Sequence, residues 1–221
     1  MIAKDLISEV IPSLKTSDSG QIALNWMEIF RVSHLPIVNN QEFLGLISDS
    51  DIYDMNKPDE PIGNHALTLL KPYVKTDQHI FEVIGLIARL KLTIAPVLDD
   101  NNNFKGVITS QELIKRLAEM SSLDQPGAII VLELTERDYS LSQIAQIIES
   151  NNVKAISMYV TSPVDSTKLD ITIKLNSNEI SSVIRTFERY DIPVKTWIAS
   201  SDSIDEFYQE RFDLLMKYLN I

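Results

Sequence analysis

The chain repeats itself. Leu14-Lys15-Thr16-Ser17-Asp18 recurs sixty positions later as Val74-Lys75-Thr76-Asp77-Gln78, and Ser33-His34-Leu35-Pro36-Ile37-Val38 recurs as Thr93-Ile94-Ala95-Pro96-Val97-Leu98. The offset is sixty-one by Gly45-Leu46-Ile47-Ser48-Asp49-Ser50-Asp51-Ile52, which matches Gly106-Val107-Ile108-Thr109-Ser110-Gln111-Glu112-Leu113. The extra residue falls within Asp99-Asp100-Asn101-Asn102-Asn103, a turn-rich stretch between strand-like runs where a longer hairpin loop costs little. Two copies of one unit therefore fill residues 1–120, and self-similarity at such a period constrains the fold before any local reading does.

Each copy reads as helix, strand, strand, helix. Apolar residues at three- and four-residue spacing, Ile22, Met27, Ile29 and Phe30 in one copy and Ile80, Val83, Ile84, Ile87 and Leu90 in the other, predict a helix. Residues 35–38 and 95–98 then read as strands, turning into second strands over 43–47 and 104–108. Ser48 and Thr109 open the closing helices, which run toward Met55 and Ala118. Polar residues, Pro126 and Gly127 interrupt the pattern over 121–127, placing a domain boundary there. Beyond it the order is βαββαβ, with strands over 128–134, 155–161, 169–175 and 192–198 and helices over 140–149 and 179–190, the split-βαβ or ferredoxin-like arrangement. A last helix is predicted over 203–220, with a cap at Ser203 and aromatic residues Phe207, Tyr208, Phe212 and Tyr218 suited to a core or an interface.

Composition narrows the chemistry. There is no cysteine, which removes disulfides, thiolate catalysis and zinc ribbons. His34, His65 and His79 have no metal-ligand spacing, so no metal site is expected. The formal charge of −11 is shared almost evenly between residues 1–120 and 121–221, and neither half offers the basic face that nucleic acid requires. The longest runs without a polar side chain, residues 83–88 and 128–132, fall far short of the roughly 20 needed to span a bilayer. Asp5 stands where a secretory signal needs its apolar stretch, which predicts a cytoplasmic protein without membrane contact. No nucleophile with its base, carboxylate pair or metal cluster points to catalysis.

On the strength of Thr16, His34-Leu35-Pro36-Ile37-Val38 and Gly45-Leu46-Ile47-Ser48-Asp49-Ser50-Asp51, the doubled unit resembles a pair of cystathionine-β-synthase (CBS) domains, the Bateman module. The segment from about Gly127 resembles an ACT-type regulatory domain by its topology, and the whole is similar to acetoin-utilization-type CBS proteins. The implied architecture is α/β (α+β): CBS repeats over 1–58 and 59–120, an ACT-like ferredoxin-like domain over 127–200, and a C-terminal helix over 203–221.

The resemblance implies two clefts between the repeats that bind adenosine-containing ligands such as AMP, ATP or S-adenosylmethionine, and modules that pair as a flat homodimer. In the family pattern Gly-h-x-Ser/Thr-x-x-Asp the hydroxyl faces phosphate and the Asp takes the ribose hydroxyls. The first repeat meets it with Ser48 and Asp51; Thr16 and His34 would lie near the same cleft, with Leu35, Pro36 and Ile37 bordering the adenine. A Ser at a helix start stands beside free N–H groups and the positive end of the dipole, which suits an anion. The second repeat, with Thr76, Thr109 and Glu112, forms a weaker site, because Glu112 replaces the Asp and Ile94 stands where His34 stood. Ser-x-x-Asp and Thr-x-x-Glu are equally capping boxes. That alternative is preferred for Thr109 and Glu112, ligand contact stays slightly ahead for Ser48 and Asp51, and Thr16 and Thr76 are read as possible N-caps. A neutral His34 has no charge to offer a phosphate.

The leading reading is a non-catalytic sensor of an adenine nucleotide, AMP or ATP, whose change is read by the ACT-like domain or by an unknown protein partner. The rival is a ligand-free dimeric interaction module with degenerate clefts. A third, an amino-acid sensor working through the ACT-like domain, lacks the Pro and Gly usual in the ligand turn, here Glu136-Arg137-Asp138-Tyr139-Ser140.

Overall fold

The structure, a computed structural model, describes residues 1–65, 69–164 and 166–199. The helix expected over 203–221, with Phe207, Tyr208, Phe212 and Tyr218, lies outside the described residues. The chain divides into two compact units, Met1–Arg116 and Leu117–Ile221.

In the first unit, helix α1 (Gly20–Phe30) leads to an antiparallel hairpin of β1 (His34–Asn39) and β2 (Glu42–Ser48), closed by α2 (Asp49–Asp54). The second copy runs β3 (Val74–Lys75), α3 (Ile80–Leu90), β4 (Ile94–Leu98), β5 (Phe104–Thr109) and α4 (Ser110–Met120). Both helix–strand junctions are made alike: Arg31 and Lys91 end their helices with φ of 53°. The line that α1 buries is Gly20, Ala23 and Met27, at three- and four-residue steps, whereas the predicted Ile22 and Ile29 are exposed. Gly20 is needed on this line because a Cβ there would meet Ile52 Cγ2 at 2.8 Å.

Each copy borrows a segment from the chain preceding the other. Ser8 N donates to Val107 O on β5, and Leu46 N on β2 donates to Leu70 O, both at 2.8 Å. Ala3 and Leu6 accordingly belong to the second copy's core, with Val74, Ile80, Val83, Val97 and Ile108, while Ile62 and Leu69 pack on the first. The crossings explain the two glycines of the repeated motif. Gly45 (φ 151°) and Gly106 (φ 143°) lie against Leu69 and Ile7, where a Cβ would sit 2.5 Å from the facing side-chain carbon.

The second unit is β6 (Ile129–Thr135), α5 (Leu141–Ser150), β7 (Ala155–Thr161), β8 (Lys168–Leu175), α6 (Ser181–Arg189) and β9 (Val194–Ile198). Its antiparallel sheet has the order β7-β8-β6-β9, which is the ferredoxin-like topology read from the sequence. Ile130, Leu132 and Leu134 alternate along β6 to meet Ile144, Ile147, Val183 and Phe187 of the helices, as a half-covered sheet requires.

Candidate functional site

Pairing of β1 with β2 sets His34 opposite Ser48, at the point where β2 enters α2. Ser48 is the N-cap: its hydroxyl accepts from Asp51 N at 3.2 Å. Asp51 Oδ2 returns the bond, accepting from Ser48 N at 2.8 Å and from Ser48 Oγ at 2.7 Å. The capping box is closed, using one carboxylate oxygen. The other, Oδ1, takes no hydrogen bond among the described residues.

His34 reaches across the pseudo-dyad. Thr93, at the position equivalent to Ser33, accepts from Ser33 N through Oγ1 at 3.0 Å; its Oγ1 lies 3.0 Å from His34 Nδ1, and its backbone N–H donates to the same nitrogen at 3.4 Å. Nδ1 acts as acceptor, so the proton of the neutral ring sits on Nε2. Burial holds the His34 pKa below its ordinary value, against the carboxylates of Asp49 and Asp51, which pull it up.

The predicted residues do not all converge. His34, Ser48 and Asp51 come together. Leu35, Pro36 and Ile37 are buried, with Leu35 and Ile37 in the first copy's core. Thr16 bonds to Asn39 at the opposite end of β1, its N–H and hydroxyl both within 3.4 Å of Asn39 Oδ1. Asn39 lies five steps along the strand from His34, about 16 Å at the usual rise. Thr16 and Thr76 do not cap their helices either: Ser19 and His79 do, because they stand next to the first helical residue.

The second copy departs from the first. Thr109 Oγ1 accepts from Glu112 N at 3.1 Å, but the Glu112 carboxylate accepts from Arg116 Nε at 2.6 Å instead of returning to the cap. The box expected there is half formed. Thr76 N donates to Leu98 O at the far end of β4, and Ile94 is fully buried. Sequence reasoning missed Thr93 and Asp49. The signal for Thr93 was its offset of sixty from Ser33, which places the two side by side on a pseudo-dyad.

A cavity of about 490 Å³ lies between α1 and α2, lined by Asn25, Glu28, Arg31, Ser33, Asp49 and Tyr53 among others, with none of His34, Ser48 and Asp51 in its wall. In the second unit a cavity of about 530 Å³ adjoins the turn after β6, lined in part by Thr135, Arg137, Asp138, Ser140 and Lys168. That turn is held by its own side chains: Thr135 Oγ1 donates to Asp138 Oδ2 at 2.6 Å, and Ser140 caps α5. Among the described residues no three acidic or histidine side chains gather to hold a metal ion, and no helix is long and apolar enough to cross a membrane.

The CBS-domain family matches residues 3–56 and 69–119, the two copies. The chain carries a CBS-domain pair. An inosine-5′-monophosphate dehydrogenase of Methanocaldococcus jannaschii is 24% identical over 131 residues, covering 58% of this chain and 26% of the enzyme, so the match spans about a quarter of that relative. Among solved structures the chain is similar to a CBS domain pair/ACT domain protein of Thermotoga maritima (TM-score 0.48, 19% identity, 54% of this chain and 98% of that one). It is also similar to CBSX2 in complex with AMP (TM-score 0.46, 19% identity, 53% and 96%).

Proposed function

We propose that the CBS pair is a non-catalytic regulatory module whose first-repeat site takes an adenosine-containing ligand. Asp51 Oδ1 accepts from a ribose hydroxyl, with Ser48 and His34 flanking it. The observation that carries this reading is the half-used carboxylate: the cap occupies Oδ2 and leaves Oδ1 without a hydrogen-bond partner among the described residues. The ferredoxin-like topology of the second unit supports reading it as an ACT-like domain that packs or dimerises, within a homodimer.

Isothermal titration with adenosine, AMP, ATP and S-adenosylmethionine tests the ligand. Saturable heat that survives Glu112→Ala and disappears in Asp51→Glu supports the site, because a glutamate at the third helical position keeps the cap while moving the carboxylate. Silence with all four ligands overturns it.

The closed capping box favours a second reading, a ligand-free dimeric interaction module in which Ser48 and Asp51 serve only the helix start. Under it Asp51→Ala lowers stability and changes no binding.

A further inference from the structure

The cavity between α1 and α2 has an apolar floor and a rim that carries both signs of charge. Met27 and Val32 are buried beneath it, with Leu24 packed beside them. Arg31 ends α1 in the left-handed conformation (φ 53°, ψ 47°), one turn after Glu28, whose carbonyl accepts from Arg31 N at 3.3 Å. Asp49 is fixed on the facing side: its N–H donates to Ser33 O at 3.2 Å and its Oδ1 accepts from Ser50 N at 2.8 Å. Its Oδ2 takes no hydrogen bond among the described residues. Arg31 lines the same cavity as Glu28 and Asp49, yet among the described residues it forms an ion pair with neither. The second repeat is an internal control. Lys91 matches Arg31, because the end of a helix favours a cation in either copy. Glu28, Asp49 and Tyr53, however, have Ala88, Ser110 and Ile114 in their places, so the fold itself does not require polar groups there.

We propose that this cavity binds a zwitterion, an α-amino acid with an apolar side chain. Opposite charges that share a cavity without pairing are bridged by a ligand that carries both. The Arg31 guanidinium donates to the carboxylate as a planar fork, Asp49 and Glu28 accept from the ammonium, and the side chain rests on Leu24, Met27 and Val32. The volume of about 490 Å³ suits a small molecule. This site lies within the first unit, away from the turn after β6, and uses none of His34, Ser48 and Asp51.

Isothermal titration of the full chain with L-leucine, L-methionine and L-phenylalanine tests this. Each is compared with the same molecule lacking the amino group and the same molecule lacking the carboxylate, which for leucine are 4-methylpentanoate and 3-methylbutylamine. At least one amino acid should give saturable heat and bind about tenfold or more tighter than either truncated form, as loss of a charged hydrogen bond requires. Arg31→Gln should bring that amino acid down to the level of its amine, and Asp49→Asn should weaken it while leaving the carboxylate form where it was. Silence with all three amino acids, truncated forms that bind as tightly as the parent, or binding that survives Arg31→Gln overturns the site. Loss of binding in Arg137→Ala with Arg31→Gln unaffected would move the ligand to the second unit. None of these results touches the adenosine reading, which Asp51→Glu tests separately.

Discussion

Phe43 and Phe104, equivalent positions of the two repeats, stack on each other with ring centroids 6.3 Å apart and 18° between their planes. Beside them Glu42 bridges Asn103, and Phe104 N donates to Gln41 O at 2.8 Å. The tips of the two hairpins are thus tied to one another across the pseudo-dyad. A double-mutant cycle with Phe43→Leu and Phe104→Leu should give a coupling of about 0.5–1.5 kcal/mol in urea denaturation, the range for a stacked aromatic pair. Additive losses would show that each ring packs on its own hairpin alone.

The glycines predict opposite signs. Gly45→Ala would place a Cβ 2.5 Å from Leu69 Cβ and 2.9 Å from Leu70 O, at a φ that side chains rarely adopt, so the crossing segment must move. A loss of more than about 2 kcal/mol is expected. Gly85 lies within α3 with nothing inside 4 Å of its Cβ position, so Gly85→Ala should raise stability by about 1 kcal/mol through helix propensity. Thermal denaturation of both variants checks the pair.

These glycines also mark how far the sequence could be read. The repeat of Gly45 and Gly106 announced two hairpins, but what each glycine makes room for, a segment from before the other copy, depends on pairings with Leu70 and Ser8 that leave no local pattern. The caps failed for a different reason. Thr16 is followed by Ser17 and Ser19, all competent to cap, and only the observed start at Gly20 selects Ser19. The choice made by Glu112 was legible in principle, since Arg116 stands four residues on, the favourable order for a helical ion pair. Asp51 has Met55 at that position and turns back to its cap instead.

That difference gives the two acidic residues distinct roles in stability. Asp51→Ala opens a closed box and should cost about 1 kcal/mol, while Asp51→Glu should cost little. Glu112→Ala leaves the bond from Glu112 N to Thr109 Oγ1 and removes a partly exposed ion pair, worth about 0.3–0.5 kcal/mol. Urea denaturation of the three variants checks the order. Equal losses for the two alanine variants would remove the distinction between the caps.

His34 should titrate below the ordinary histidine range, and its coupling to Thr93 should be visible in that titration. Burial is the main cause of the lowered pKa, and Asp49 and Asp51 oppose it. Because the folded state holds the ring neutral, the unfolded chain takes up the proton first as pH falls. The contribution of His34 to stability is therefore complete above the unfolded value of about 6.5 and is lost as pH drops toward the folded one. Thr93→Val removes the hydroxyl that accepts from Ser33 N and contacts His34 Nδ1, while the backbone N–H of residue 93 stays on that nitrogen, so the neutral ring loses one of its two bonds. The His34 pKa should rise toward the ordinary value and the acid-induced loss of stability should shrink. With three histidines in the chain, proton NMR of the imidazole resonances follows this site directly. A His34 pKa unmoved by Thr93→Val would show that the contact across the pseudo-dyad does not hold the ring neutral, leaving burial as the whole cause.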